Sequence, residues 1–284
     1  MAITNINEEY LKIFRETLRS PESGISTGFT ELDRIIGGGL KKDGFYVIGG
    51  RPAMGKTALS LNICRNIVAK GDEKITYCTL GMNTDLLMRR LACIKERIDF
   101  WELWRREENA LERLDSFLDW KKLGNLTIDD SPDLSVSDIR SGLQSGAYGI
   151  PDVLVIDCLQ QMTDGEATSV SFRRNNAEHI CRELKLIAQE YDLAVVVTSE
   201  VNREPERRPD HRPWLADLED SRILCDHADV VILLYNEGYY DKDSERKGIT
   251  ELFVDSNRFG ETGWAEIWWI PQYMTFANMP ASGY

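Results

Sequence analysis

Long apolar runs are missing from this chain of 284 residues. None approaches the roughly 20 residues that span a bilayer, so the sequence offers no membrane helix. The first residues, Met1 to Tyr10, lack a basic stretch followed by an apolar one, so no signal peptide is visible. The six cysteines (Cys64, Cys78, Cys93, Cys158, Cys181 and Cys225) contain no C-x-x-C pair, and most lie inside apolar runs. They read as free thiols in a reducing cytoplasm, not as a disulfide framework or a zinc site. The three histidines, His179, His211 and His227, lack metal-ligand spacing. Internal repeats and low-complexity segments are absent too. Positive charge is in deficit, with a formal net charge of −13. That balance argues against a general polyanion binder, so any nucleic-acid contact has to come from a local basic patch or from a ring channel that concentrates such patches.

What remains is enough for a folded domain. Hydrophobic residues make up 42% and aromatics 9%, and the length suits one large α/β domain with or without a small appendage. Residues 7 to 19 read as an amphipathic helix with Tyr10, Ile13, Phe14 and Leu18 on one stripe. A break follows, Ser20-Pro21-Glu22-Ser23-Gly24. Such a helix either packs on a neighbour or folds back on its own domain, and the sequence leaves both open. From Phe45 onward, apolar strands alternate with helices. Strands are expected at Phe45 to Ile48, Ile75 to Leu80, Leu126 to Ile128, Val153 to Ile156 and Leu193 to Thr198. Helices are expected over 56 to 69, 84 to 98, 135 to 145 and 172 to 191, with a charged helical stretch over 100 to 122. This alternation predicts a mostly parallel sheet covered on both faces. Val230 to Tyr235, Thr250 to Val254 and Ala265 to Ile270 follow with mostly short links and read as antiparallel additions at a sheet edge.

Two motifs carry chemistry. Gly50-Arg51-Pro52-Ala53-Met54-Gly55-Lys56-Thr57 matches G-x-x-x-x-G-K-[ST], with a strand before it and a helix after it. Glycines let backbone N–H groups turn inward around phosphate oxygens, and the helix N-terminus adds its positive dipole end. Lys56 supplies a point charge for the β- and γ-phosphates, and the Thr57 hydroxyl is placed to ligate Mg²⁺. The second motif is Val153-Leu154-Val155-Ile156-Asp157, an apolar strand ending in an acid. In phosphate-loop proteins such an Asp holds the magnesium.

With these in place, a family resemblance emerges. Ser26-Thr27-Gly28-Phe29-Thr30-Glu31-Leu32-Asp33 ahead of the phosphate loop resembles the lead-in segment of DnaB-type replicative DNA helicase motor domains. So do the loop with its Arg51-Pro52, the strand Val155-Ile156-Asp157 followed by Leu159-Gln160, and the stretch Ser199 through Arg203. Arg212-Pro213, Leu215, Asp217-Leu218, Asp229-Val230-Val231 and Arg258-Phe259-Gly260-Glu261-Thr262-Gly263 are similar as well. The resemblance runs from about residue 7 to 276. It implies a RecA-like fold in a hexameric ring that moves on single-stranded DNA, with ATP bound between subunits. Residues 1–24 would be the linker helix and its connector, docking on the adjacent subunit, and residues 25–284 the ATPase domain. ATP would be bound by Gly50 through Thr57, Ala58 and Asp157, with Thr57 and Asp157 on Mg²⁺. Lys56 and Arg258 would act in catalysis, Arg258 as an arginine finger in the neighbour's site. Replication or loader proteins are candidate partners. The family's separate N-terminal helical domain is not in this sequence.

Three positions depart from the family pattern. The strand Ile75 to Leu80 should end in a glutamate that activates the attacking water, and here Leu80-Gly81-Met82 follows. After Thr198-Ser199 the family carries a glutamine that senses the γ-phosphate, and here it is Glu200. A lysine is expected two residues before Arg258, and here it is Ser256. Two readings stay open. Either the domain binds ATP but hydrolyses it slowly or not at all, or the carboxylate has moved and Glu200 orients the water. The first reading makes the chain an ATP-binding assembly module, the second a DNA-translocating motor. A RecA-like recombinase or clock-type ATPase is a third possibility, which Arg212-Pro213 and Asp217-Leu218 fit less well.

Arg203, Arg207, Arg208 and Arg212 cluster in a Pro-rich loop interrupted by Glu204, Glu206 and Asp210. By resemblance this is a pore loop. Arg173 and Arg174, in Ser171 to Asn176, lie where a second channel loop would be. These arginines could track single-strand phosphates without reading bases, or they could be solvated or ion-paired. Trp101, Trp104 and Trp120, and Trp264, Trp268 and Trp269, read as core or interface anchors in preference to base-stacking platforms.

Overall fold

The computed structural model describes residues 8, 11, 12, 15, 24–163 and 170–280, with backbone alone for 170–176 and 221. Glu8, Leu11, Lys12 and Arg15 are helical and exposed. The rest of the helix expected over 7 to 19 lies outside the described residues, as does its docking.

In chain order the elements are α1 (Thr30–Ile35), β1 (Phe45–Gly50), α2 (Lys56–Lys70), β2 (Ile75–Thr79), α3 (Thr84–Glu96), α4 (Phe100–Arg105), α5 (Glu108–Leu118), β3 (Leu126–Asp129), α6 (Val136–Ser145), β4 (Val153–Asp157), α7 (Val170–Tyr191), β5 (Ala194–Glu200), α8 (Ser221–His227), β6 (Val230–Tyr235), α9 (Glu237–Tyr240), β7 (Ile249–Asn257), β8 (Gly263–Ile270) and β9 (Thr275–Asn278). The strands form one sheet in the order β3-β2-β4-β5-β1-β6-β7-β8-β9. Strand parity divides its core into two layers. Tyr46, Ile48, Val153, Val155, Ala194 and Val196 face α1 and α2. Phe45, Val47, Leu154, Ile156, Val195 and Val197 face α6, α7 and α8. Both faces of the central strands are thus covered, which is why these strands read as unbroken apolar runs.

One expectation needs correction. β6 is not antiparallel: it runs parallel to β1, with Tyr46 opposite Val230, and direction reverses only at β7. An apolar strand carries no sign of its direction, so the reversal is set by the connection that follows. The helical stretch over 100 to 122 is divided into α4, α5 and the start of a 3₁₀ turn at Lys121–Asn125. Asp99 caps α4, its Oδ1 accepting from the Trp101 N–H at 2.8 Å, and Arg106 ends it in a left-handed turn at φ 58°. Of the tryptophans expected as anchors, Trp120 and Trp269 pack on the core, whereas Trp101, Trp104, Trp264 and Trp268 are exposed.

One buried carboxylate ties the sheet to its cover. Asp229, just before β6, accepts from the Phe45 N–H at 2.7 Å and from Lys185 Nζ on α7 at 2.7 Å. Replacing it strands a buried amide and an ammonium together. Asp229→Ala therefore lowers unfolding free energy by about 3 kcal/mol in chemical denaturation. Arg34→Ala, at an exposed pair with Glu31, changes it by less than about 0.5 kcal/mol.

Candidate functional site

β1 ends at Gly50 and α2 begins at Lys56, with the motif loop between them. Gly55 sits at φ 96°, where a side chain is strained, and a Cβ there would lie 3.1 Å from the Phe276 ring of β9. The first turn of α2 has no acidic residue, and no side chain caps it. Its N–H groups are therefore left for an anion. Lys56 Nζ curls over the loop, donating to the Gly50 carbonyl at 2.8 Å and the Arg51 carbonyl at 3.3 Å. Burial pushes its pKa below the ordinary 10.5, opposed first by the charge of Glu200 and then by that of Asp157.

Asp157, at the tip of β4, is 7% exposed. Its Oδ2 accepts from Thr57 Oγ1 at 2.6 Å and from the Tyr77 hydroxyl at 3.2 Å, and its Oδ1 accepts from Thr198 Oγ1. Burial and the Asp157 charge hold the Tyr77 phenol well above its ordinary pKa, so it stays a neutral donor. Hydroxyls from α2, β2 and β5 thus orient the carboxylate without neutralising it. An uncapped helix, a lysine and a carboxylate met only by hydroxyls fit a phosphate chain with its divalent cation. Tyr77 and Thr198 escaped the sequence reading because both are ordinary strand formers. Their signal is parity, since Thr198 and Glu200 share one face of β5.

Glu200 lies opposite Gly50 in the β1–β5 ladder. The nearby Glu219 carboxyl is pushed up, by burial first and then by the charges of Glu200 and Asp220, with Arg51 opposing. β2 and β5 flank β4, so Gly81 and Glu200 stand on either side of the strand that carries Asp157. A Cβ on Gly81 would lie 3.2 Å from Gln161 Oε1. Arg51 turns away from the loop, its Nε 2.9 Å from Glu206 Oε1 and its Nη1 donating to the Val201 carbonyl at 2.9 Å. Pro52, Ala53, Met54 and Ala58 complete the loop and the first turn.

Arg258 is remote from this site. It follows β7, whose Asn257 pairs with Val230 at the start of β6, and Val230 is opposite Tyr46. The phosphate loop leaves the other end of β1, roughly 13 Å further along at four residues of rise. Arg258 instead donates to the Asp226 carbonyl at 2.8 Å and lies 3.7 Å from Asp229. In the basic loop, Arg208 Nη2 is bound to Asp217 Oδ1 at 2.7 Å and stacks 3.7 Å over the Trp214 ring. Arg212 pairs with Glu251 at 2.9 Å. Arg207 is 77% exposed, with Glu204 as its partner. The Arg173 and Arg174 side chains lie outside the described residues, and their backbone is within α7.

The chain resembles known proteins along nearly its whole length. A family model described as DnaB-like helicase C terminal domain matches residues 24–278. The replicative DNA helicase DnaC of Bacillus subtilis is 35% identical over 270 residues, which are 90% of this chain and 57% of that protein. The replicative DNA helicase DnaB of Geobacillus stearothermophilus gives the same identity and coverage. The chain thus spans little more than half the length of these curated relatives. Among solved structures, one described as an ATPase domain superposes with a TM-score of 0.88 at 30% identity, covering 98% of this chain and 100% of that one. A DnaB-like replicative helicase, described with its interactions with primase, gives 0.87 at 31% identity, covering 97% and 69%. The RecA-like fold expected from the sequence is thereby borne out.

Two binding outcomes follow. Lys56→Ala weakens ATP binding at least about ten-fold in a filter or fluorescence titration, since a charge-assisted contact is lost. Because phosphate oxyanions raise a lysine pKa that burial had lowered, binding takes up a proton above that lowered pKa. Affinity then falls as pH rises through that lowered pKa, and titration calorimetry reads the uptake as a buffer-dependent heat that Lys56→Arg abolishes.

Proposed function

This chain belongs to the DnaB-like helicase C-terminal domain family, and from that premise we propose that it is the ATP-hydrolysing motor domain of a replicative-type DNA helicase, acting as a cytoplasmic ring, hexameric by family resemblance, on single-stranded DNA. The observation that carries this reading is the 2.6 Å bond between Thr57 and Asp157 beside the uncapped start of α2. It joins the two groups that a magnesium–nucleotide complex needs at one point. The loop from Gly50 to Ala58 would hold the ATP phosphates, and Lys56, now on the loop carbonyls, would supply a charge for the phosphate oxygens. Thr57 and Asp157 would hold Mg²⁺, which would supply charge to offset that of the phosphates.

Glu200 orients the attacking water in place of the glutamate missing at Gly81. What supports this is parity with Thr198, whose hydroxyl reaches Asp157, and the reach of the Glu200 charge to Lys56. Arg258 serves the neighbouring subunit's site, because its own phosphate loop lies at the opposite end of β1. Arg207, exposed with Glu204 as its partner, is a cation of the 201–213 loop for DNA phosphates, joined by Arg173 and Arg174. Arg208 and Arg212, held by Asp217 and Glu251, shape that loop. For the cytoplasm, the support is that no described helix is long and apolar enough to cross a membrane, together with the unpaired thiols of all six cysteines.

Steady-state ATP hydrolysis with and without single-stranded DNA tests the proposal. Turnover rises with DNA and disappears in Lys56→Ala, and Glu200→Gln lowers kcat about a hundred-fold. Binding without turnover in the unaltered chain would replace the motor with an ATP-dependent assembly module. Arg258→Ala lowers kcat about a thousand-fold. Mixing Lys56→Ala with Arg258→Ala chains restores turnover, because mixed interfaces pair an intact loop with an intact arginine. A finger acting within its own chain gives no such rescue.

A further inference from the structure

The β4–β5 ladder stops at Ile156 opposite Val197. The β1–β5 ladder on the other side continues to Gly50 opposite Glu200. The last residues of β5 therefore project past β4, and the side that β4 leaves open is met further along by the Val201–Leu218 bridge. A parallel ladder cannot satisfy the N–H groups of such an overhang on its open side, so another group has to supply the acceptors.

Gln160 supplies one, for the Glu200 N–H. It sits in the short 3₁₀ turn Leu159–Gln161 that carries the chain away from Asp157. Its Oε1 accepts from the Glu200 N–H at 3.2 Å, and its Nε2 donates to Ser199 Oγ at 2.9 Å. Ser199 is fully buried. One side-chain amide thus takes the place of the next β4 acceptor for Glu200 and ties down the Ser199 hydroxyl beside it. The Glu200 carbonyl is held separately, accepting from the Glu219 N–H at 2.9 Å. Next to Gln160, the Gln161 side chain fills the space beside Gly81.

We infer that Gln160 is a positioning residue for Glu200, an inference that rests on the reading of Glu200 as the group that orients the water. Gln160 bonds to the backbone that carries the carboxylate and fixes where it points. Without Gln160 the Glu200 N–H would lose its acceptor at the point where β4 ends, and small displacements of a general base cost large factors in rate. The glutamate missing at Gly81 would have stood on the other side of β4. A base moved to the overhang of β5 needs the overhang pinned, and Gln160 pins it.

The test combines hydrogen exchange with a double-mutant cycle on the full chain. Gln160→Leu keeps the bulk and removes both bonds. Without nucleotide, the amides of 198–200 exchange about ten-fold faster in this variant while the melting midpoint is unchanged. Gln160→Glu, which keeps an acceptor for the Glu200 N–H, restores the slow exchange and stands in if Gln160→Leu fails to fold. In turnover, Gln160→Leu lowers kcat about thirty-fold with KM for ATP within about two-fold. Placed on Glu200→Gln, it lowers kcat less than about two-fold further. Equal losses in both backgrounds, or unchanged exchange at the β5 tip, overturn the role of Gln160 alone. A Glu200→Gln chain with undiminished turnover overturns the reading of Glu200 and this inference with it.

Discussion

The hydrogen bond between Thr57 and Asp157 is the contact on which the rest of the site turns. It closes the gap between the first turn of α2 and the tip of β4, two elements a hundred residues apart in sequence. The bond exists only because the sheet places β4 and β1 on either side of β5, each buried on both faces. The long apolar strands therefore bring two polar tips together at one edge. Asp157 would be costly there if it were unpartnered. Hydroxyls from Thr57, Tyr77 and Thr198 lower that cost while leaving its charge for a cation.

The same topology divides the chemistry between two ends of the molecule. The phosphate loop leaves the carboxyl end of β1, and Arg258 leaves the sheet beside the amino end of β6. A single chain cannot bring them together without unravelling its central strands. A ring of copies can, because one copy's amino edge can face the next copy's carboxyl edge. The acidic balance of the chain fits this division. Most arginines of the 201–213 loop are held by the chain's own carboxylates, so in the proposed ring cationic reach toward DNA would rest on few side chains per subunit and on their repetition around a channel.

The phosphate loop and Asp157 were legible in the sequence because phosphate chemistry fixes both residue type and spacing. The central strands were legible because double burial makes them continuously apolar. The direction of β6 was not, since Val230 to Tyr235 is apolar whichever way it runs. The break at Arg106 was hidden as well, because neither glycine nor proline marks it and an arginine takes the left-handed conformation. The fates of Arg208 and Arg212 depended on Asp217 and Glu251, whose distance in space no spacing rule gives. Gln160 was noticed only as part of a resemblance. Its two bonds to β5 follow from the uneven lengths of neighbouring ladders, a property of register that no local pattern encodes.

The central claim is that a carboxylate on β5, with an arginine from the next subunit, completes a site that lost its acid at Gly81. The most direct measurement is a reconstruction of the assembled protein on single-stranded DNA with ADP, Mg²⁺ and aluminium fluoride. The account predicts a water within about 3 Å of both the Glu200 carboxylate and the aluminium ligand sphere, with Arg258 of the adjacent subunit against the fluorides. A water coordinated from the Gly81 side, with Glu200 turned toward Arg51 and Arg258 still on its own Asp226, would contradict it.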